Sequence, residues 1–192
     1  MTKLTIPKLL AKNASFVNNP RLIKLREKLL SGQHPDVVVI GCSDSRVPPE
    51  VIFQLGSTLG RLFVIRTAGG VVDQIGMESV LYAIEHLKTK IIVVIGHHGC
   101  GAVTASCECV RAVSNPCEYP GFTSSIMSTF PESLKQSISN VSLTNKLPDK
   151  IIYSAIKYQA RRTKDKIKKR VPDDVLVVSA VYNADGVVKI IR

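Results

Sequence analysis

The sequence predicts an α/β fold: a mostly parallel central sheet with an antiparallel C-terminal edge strand, flanked by helices, with a helical arm at the N-terminus. Three observations carry this expectation. Apolar, β-branched runs at 37–40, 62–65 and 91–95 are continuous rather than alternating, as in strands buried on both faces. Between the last two, Met77, Val80, Leu81, Ile84 and Leu87 recur at helical spacing, a strand–helix–strand order that suits a helix-covered parallel sheet. Near the end, the apolar runs 175–181 and 187–191 flank Asp185-Gly186, turn chemistry that folds a hairpin and adds the antiparallel edge.

In chain order, two amphipathic stretches at 8–17 and 21–30 form the arm, and Pro20 behind Asn18-Asn19 is well placed to open the second helix. Ser31-Gly32-Gln33-His34-Pro35 then breaks the pattern before the first strand. The helix between the second and third strands is expected to start behind Gly76, read as a breaker. The stretch 110–150 is rich in Ser, Asn, Thr and Pro and weakly periodic, which predicts loop with short helices near 124–130 and 132–139. A longer helix begins at Asp149, with Ile152, Ala155, Ile156, Ala160, Thr163 and Ile167 along one face. A length of 192 residues suits a single domain: an arm at 1–33, a core at 36–105, the loop region at 110–150, and a basic helix with the hairpin at 151–192.

Composition excludes some classes of function. Hydrophobic residues at 45% and charged residues at 21% describe an ordinary folded protein, and no apolar run approaches the roughly 20 residues that span a bilayer. The formal charge is +11, and 150–170 holds nine Lys or Arg against one acid, Asp165. That cluster reads as a solvated helix face, so neither nucleic acid nor membrane is expected as a partner. Five cysteines are an odd number, unsuited to a fully paired disulfide framework. A reducing, cytoplasmic setting is therefore expected, with organelle targeting as the alternative because residues 1–26 carry six basic residues and no acid.

The chemistry sits where strands end, the edge of a parallel sheet at which ligands gather. The first strand runs into Gly41-Cys42-Ser43-Asp44-Ser45-Arg46, and the third into Gly96-His97-His98-Gly99-Cys100-Gly101. Cys42, His97 and Cys100 supply two sulfurs and one nitrogen, a set that suits zinc, and three protein ligands leave a fourth position for water or substrate. Cys100 also opens a helix, where the dipole favours a thiolate. Asp44 could accept a hydrogen bond from water on the metal or ligate the metal itself, and Arg46 can hold it ionised through a bidentate pair. A phosphatase-type Cys/Arg loop is excluded by spacing, since three residues separate Cys42 from Arg46.

These residues, together with Val47-Pro48, Phe63-Val64-Ile65-Arg66 and Ala68-Gly69-Gly70, resemble the β-class carbonic anhydrases over about 36–105. The resemblance implies zinc-dependent, reversible hydration of carbon dioxide to bicarbonate and a proton. It implies one zinc per chain on Cys42, His97 and Cys100, and a catalytic dyad of Asp44 and Arg46. It also implies a homodimer or higher homo-oligomer with the N-terminal helices lying across the partner. Some members of the family bind bicarbonate in a regulatory pocket built on a tryptophan, an arginine and a tyrosine; here Val39 stands at the tryptophan position, with Arg66 and Tyr182 at the others. The incomplete set predicts an open site in which Asp44 pairs with Arg46. Thr67 departs from the family's usual asparagine, and His98 is weighed as a proton carrier. Cys107, Cys109 and Cys117 have no part in the pattern and are expected to be small buried hydrophobes. The rival readings are hydrolysis of carbonyl sulfide or carbon disulfide, a non-catalytic zinc-binding protein, and a nucleic-acid binder.

Overall fold

A computed structural model of the protein describes residues 4–54, 59–112, 117 and 119–191. Five strands form one sheet in the order β2-β1-β3-β4-β5. They are β1 (Val37–Cys42), β2 (Leu62–Thr67), β3 (Ile91–His97), β4 (Leu176–Tyr182) and β5 (Val188–Ile190). The first four run parallel and β5 pairs antiparallel with β4, the class of fold the apolar runs predict. Val38, Val39 and Ile40 are wholly buried on this central strand, which lies between β2 and β3.

Contacts divide the chain into two units, Met1–His34 and Pro35–Arg192. In the first, α1 (Ile6–Val17) and α2 (Pro20–Leu29) follow the two amphipathic stretches closely. The Asn19 side chain accepts from the backbone N–H groups of Arg21 and Leu22, the cap that the Asn-Pro pair predicts. The Arg26 guanidinium donates to the carbonyls of Phe16 and Val17 at 2.9 and 3.0 Å and ties the two helices together. Neither helix contains a buried residue, and Ile6, Leu9 and Leu10 are exposed.

In the second unit, the short α3 (Pro49–Ile52) follows β1, and a single 3₁₀ turn at Ala68–Gly70 follows β2. Helix α4 (Gln74–Glu85) starts before Gly76, which corrects the expected boundary. Asp73 is the reason: its carboxylate caps the helix by accepting from the Gly76 N–H at 2.8 Å, so the glycine lies in the first turn. After β3 come α5 (Gly101–Arg111), α6 (Pro120–Met127), α7 (Glu132–Ser139) and α8 (Asp149–Lys168). Helix α6 begins at a proline, earlier than the expected 124, as proline at a first helical position allows.

Two apolar clusters pack against the sheet. One joins Cys42, Cys100 and Val103 to Ile126, Ile138, Ile152 and Ile156; the other joins Val38, Ile40 and Val94 to Val80, Ile84, Ala160 and Ile167. Helix α8 contributes to both. Part of its charge serves the fold: Lys166 Nζ donates to Val72 O at 2.5 Å, and Lys168 Nζ to the carbonyls of Asp173 and Val175 at 3.2 Å. Tyr153 and Tyr158, within the basic segment, pack against the core. No helix among the described residues is long and apolar enough to cross a membrane.

Candidate metal centre

Strand β1 has β2 on one side and β3 on the other, so the chain changes direction across the sheet between β1 and β3. That change opens a crevice at their carboxyl ends. Cys42 ends β1 and His97 ends β3, and Cys100 precedes α5 as its cap residue. Each strand-borne donor follows a glycine for a steric reason. A Cβ on Gly41 would stand 2.9 Å from Ile95 Cγ2, and one on Gly96 would stand 2.8 Å from Ile156 Cγ2. The turn between His97 and Cys100 also needs Gly99, whose φ of 67° suits glycine.

The structure brings the predicted donors together. One ligand atom from each of Cys42, His97 and Cys100 lies within 4.8 Å of the others, and all three residues are buried. The two sulfurs are 3.9 Å apart. Donors at zinc bond lengths on a tetrahedron stand roughly 3.4–3.8 Å apart, so the two sulfurs already stand close to the separation zinc needs. His97 Nδ1 lies 3.0 Å from the His98 carbonyl, which places its proton there and turns Nε2 inward. That Nε2 is buried with no hydrogen-bond partner, as a lone pair reserved for a metal would be.

Cys42 Sγ also accepts from the backbone N–H groups of Asp44 and Gly69, each at 3.4 Å. The hydrogen bond with Cys100 pulls the Cys42 thiol down, against burial and with help from those N–H groups. Cys100 is pushed up because it donates in that bond and is buried. Both thiols bind a metal as thiolates, so metal binding releases protons from the pair.

Asp44 pairs with Arg46 and does not sit among the donors. Arg46 donates through Nε at 2.9 Å and NH2 at 2.6 Å in a bidentate fork, and its backbone N–H adds a bond at 2.9 Å. The Arg46 hydrogen bond holds the Asp44 carboxyl well below its ordinary range. Asp44 Oδ2 is 3.9 Å from His97 Nε2, so the carboxylate borders the metal seat. Arg46 also donates to Gly99 O at 3.1 Å and joins the two turns.

A cavity of about 420 Å³ opens over Cys42 and Asp44. Ala68, Ala102, Ala105 and Phe122 make its wall apolar, and Tyr119, ring-stacked on Phe122 at 5.7 Å, stands at its edge. Nothing in the weakly periodic 110–150 segment marks those two aromatics as pocket residues. His98 instead lines a separate cavity with Thr104, Lys146 and Asp149. Val39 is wholly buried, and the Arg66 guanidinium is taken up by backbone carbonyls. Among the spare cysteines, Cys107 is buried as expected. Cys109 and Cys117 are instead joined as a disulfide, their Cα atoms 5.5 Å apart.

Fold and site together define an α/β protein with a two-cysteine, one-histidine metal centre and an acid–arginine pair beside it. The sequence profile of the carbonic anhydrase family matches residues 37–186, and the chain belongs to that family, in its β class. It is 46% identical over 99 residues to a carbonic anhydrase of Mycolicibacterium smegmatis, a match covering 49% of this chain and 47% of that protein. The chain spans about half the length of the relatives it matches in sequence. Its fold is similar to the β-carbonic anhydrase CafA of Aspergillus fumigatus, with a TM-score of 0.79 at 22% identity over 95% of this chain and 88% of that one. It is also similar to one of two tetrameric β-carbonic anhydrases from Sordaria macrospora, with a TM-score of 0.73 at 22% identity over 95% and 94%.

Proposed function

We propose that the protein is a carbonic anhydrase, hydrating carbon dioxide reversibly to bicarbonate and a proton with one zinc per chain. The observation that carries this reading is the buried trio of donors, with an unpartnered His97 Nε2, bordered by an ionised Asp44. Cys42, His97 and Cys100 hold the zinc, which supplies a Lewis acid able to bring the ionisation of water down to about neutral pH. Asp44, kept charged by Arg46, accepts a hydrogen bond from the attacking water and turns an oxygen lone pair toward the carbon. The apolar wall of Ala68, Ala102, Ala105 and Phe122 seats a small uncharged substrate and excludes competing water.

Within this reading, 36–105 is the catalytic core of a single domain, and the arm at 1–33 covers a partner in a homodimer or larger assembly. The exposed apolar residues of α1 supply the surface for that use. A cytoplasmic location goes with it, because Cys42 and Cys100 must stay reduced to bind metal.

Stopped-flow hydration of carbon dioxide by wild type and Asp44→Asn is the test. The substitution should lower turnover by about 10²- to 10⁴-fold, the range for a lost acid–base group, with metal content retained. Wild type that binds zinc and hydrates no carbon dioxide overturns the reading. The same assay run with carbonyl sulfide and carbon disulfide separates those substrates.

A further inference from the structure

A further cavity, of about 180 Å³, opens between α6, α8 and the segment 71–73 that leads into α4. It holds none of the metal donors. Ser125 of α6, with Ser128 and Thr129 just beyond that helix, lines one side, and Thr163 of α8 lines another. Arg162 and Lys166, one turn apart on α8, complete the wall.

We infer that this cavity is a binding site for a small tetrahedral oxyanion, a phosphate ion or the phosphate group of a monoester. Charge is the first reason. Residues four apart on a helix are neighbours, and two like charges so placed repel. Neither Arg162 nor Lys166 forms an ion pair among the described residues, and the acids nearest in sequence are taken up by Lys164 and Lys168. Asp73 is the only acid on the described wall, and its Oδ1 accepts from the Gly76 N–H. The Arg162 guanidinium makes no hydrogen bond among the described residues. Lys166 Nζ gives one proton to Val72 O, which holds the ammonium against the wall and leaves two to donate. The helix dipoles do not set the sign, since α4 begins at one edge of the cavity and α6 ends at another.

The hydroxyls are the second reason. Thr163 is only 6% exposed, and its Oγ1 accepts from Gln159 Nε2 at 3.2 Å, so its own proton points elsewhere. No described residue accepts that proton. Ser125, Ser128 and Thr129 rest their protons on carbonyls of α6, bonds that a hydroxyl exchanges by rotating. Donors thus reach the cavity from two elements besides the paired cations, as an anion with oxygens in four directions requires. A planar carboxylate would be satisfied by the arginine fork alone. The volume is below the roughly 300–1,000 Å³ of sites for larger organic ligands, which suits a small anion.

The test titrates zinc-loaded, full-length protein with inorganic phosphate, glycerol 3-phosphate and acetate by calorimetry at physiological salt. One phosphate per chain should bind, more tightly than acetate. Arg162→Gln should weaken phosphate binding about 10- to 100-fold, the range for losing a hydrogen bond to a charged group. Arg162→Lys should fall between wild type and Arg162→Gln, because it keeps the charge and loses the fork. Lys166→Gln should also weaken binding; if it fails to fold without the tie to Val72, the variants of the exposed Arg162 carry the test. Lys169→Gln removes the same charge from an exposed position outside the cavity and should bind phosphate as wild type does. Tighter binding of glycerol 3-phosphate than of inorganic phosphate identifies a monoester as the ligand, and the reverse order identifies the free ion; either supports the site. No saturable phosphate binding overturns the inference, as does equal weakening by Lys169→Gln and Arg162→Gln, which a diffuse basic field would give. Binding at wild-type strength in Arg162→Gln/Lys166→Gln would place the anion elsewhere, on the metal, and overturns it too. Acetate that binds as tightly as phosphate overturns the tetrahedral assignment.

Discussion

The turn after β3 delivers His97 and Cys100 by backbone shape and burial. Gly96 is packed under Ile156, Gly99 adopts a positive φ, and the imidazole is fixed by the carbonyl of the next residue. Cys42 is seated by β1 itself behind the packed Gly41, but the turn that follows delivers Asp44 by side-chain ties: Arg66 from the sheet, and Arg46 from two residues beyond Asp44. The first arrangement resists small changes until something clashes, whereas the second is adjustable and depends on each charged group. A metal site can thus combine a stiff half that sets the seat with a tunable half that places the acid.

Four measurements break or sharpen that contrast. Removing a donor from the stiff half should have the largest effect. Cys100→Ser should lower zinc affinity by more than about 100-fold, beyond the usual cost of disturbing an outer partner, as metal analysis after competition with a chelator would show. On the adjustable half, Arg46→Ala should lower kcat by about 10- to 100-fold while zinc content is kept, because Asp44 loses its fork but no ligand is lost. Equal loss of metal in both variants would erase the distinction. Gly96→Ala should cost about 1–3 kcal/mol in denaturant unfolding, since the added methyl meets Ile156 Cγ2 and an interior cannot yield cheaply.

The smallest effect is a pH slope on the helix that leaves the stiff turn. Burial pushes the Cys107 thiol up to about 12. The folded state therefore keeps a proton that the unfolded chain loses near pH 8.5, and stability falls as pH rises through that window. The slope is at most about 1.4 kcal/mol per pH unit. Zinc-loaded Cys107→Ala should be less stable at pH 7 but flatter between pH 8.5 and 10, and parallel curves for the two proteins would dismiss the effect.

Much of the sheet was legible because burial on both faces leaves a direct trace, the unbroken runs at 37–40 and 91–95. The donors were legible for a related reason: glycine before Cys42 and before His97 records close packing at a strand end, and cysteine and histidine carry their chemistry in their identity. The ties from Arg66 to the turn were not. An arginine in a strand names no partner, and its bonds go to carbonyls that every residue possesses. Tyr119 and Phe122 escaped because the segment before them has no period to place a face. The Gly76 boundary slipped because a side-chain cap at Asp73 outweighed the glycine's weak helix propensity.

Helix α8 bridges the two clusters along its length, giving Ile152 and Ile156 to one and Ala160 and Ile167 to the other. Neither cluster can melt while its neighbour stays dry, since the same rod seals both. Pro35–Arg192 should therefore come apart in a single step, and the metal seat should vanish together with the sheet rather than ahead of it.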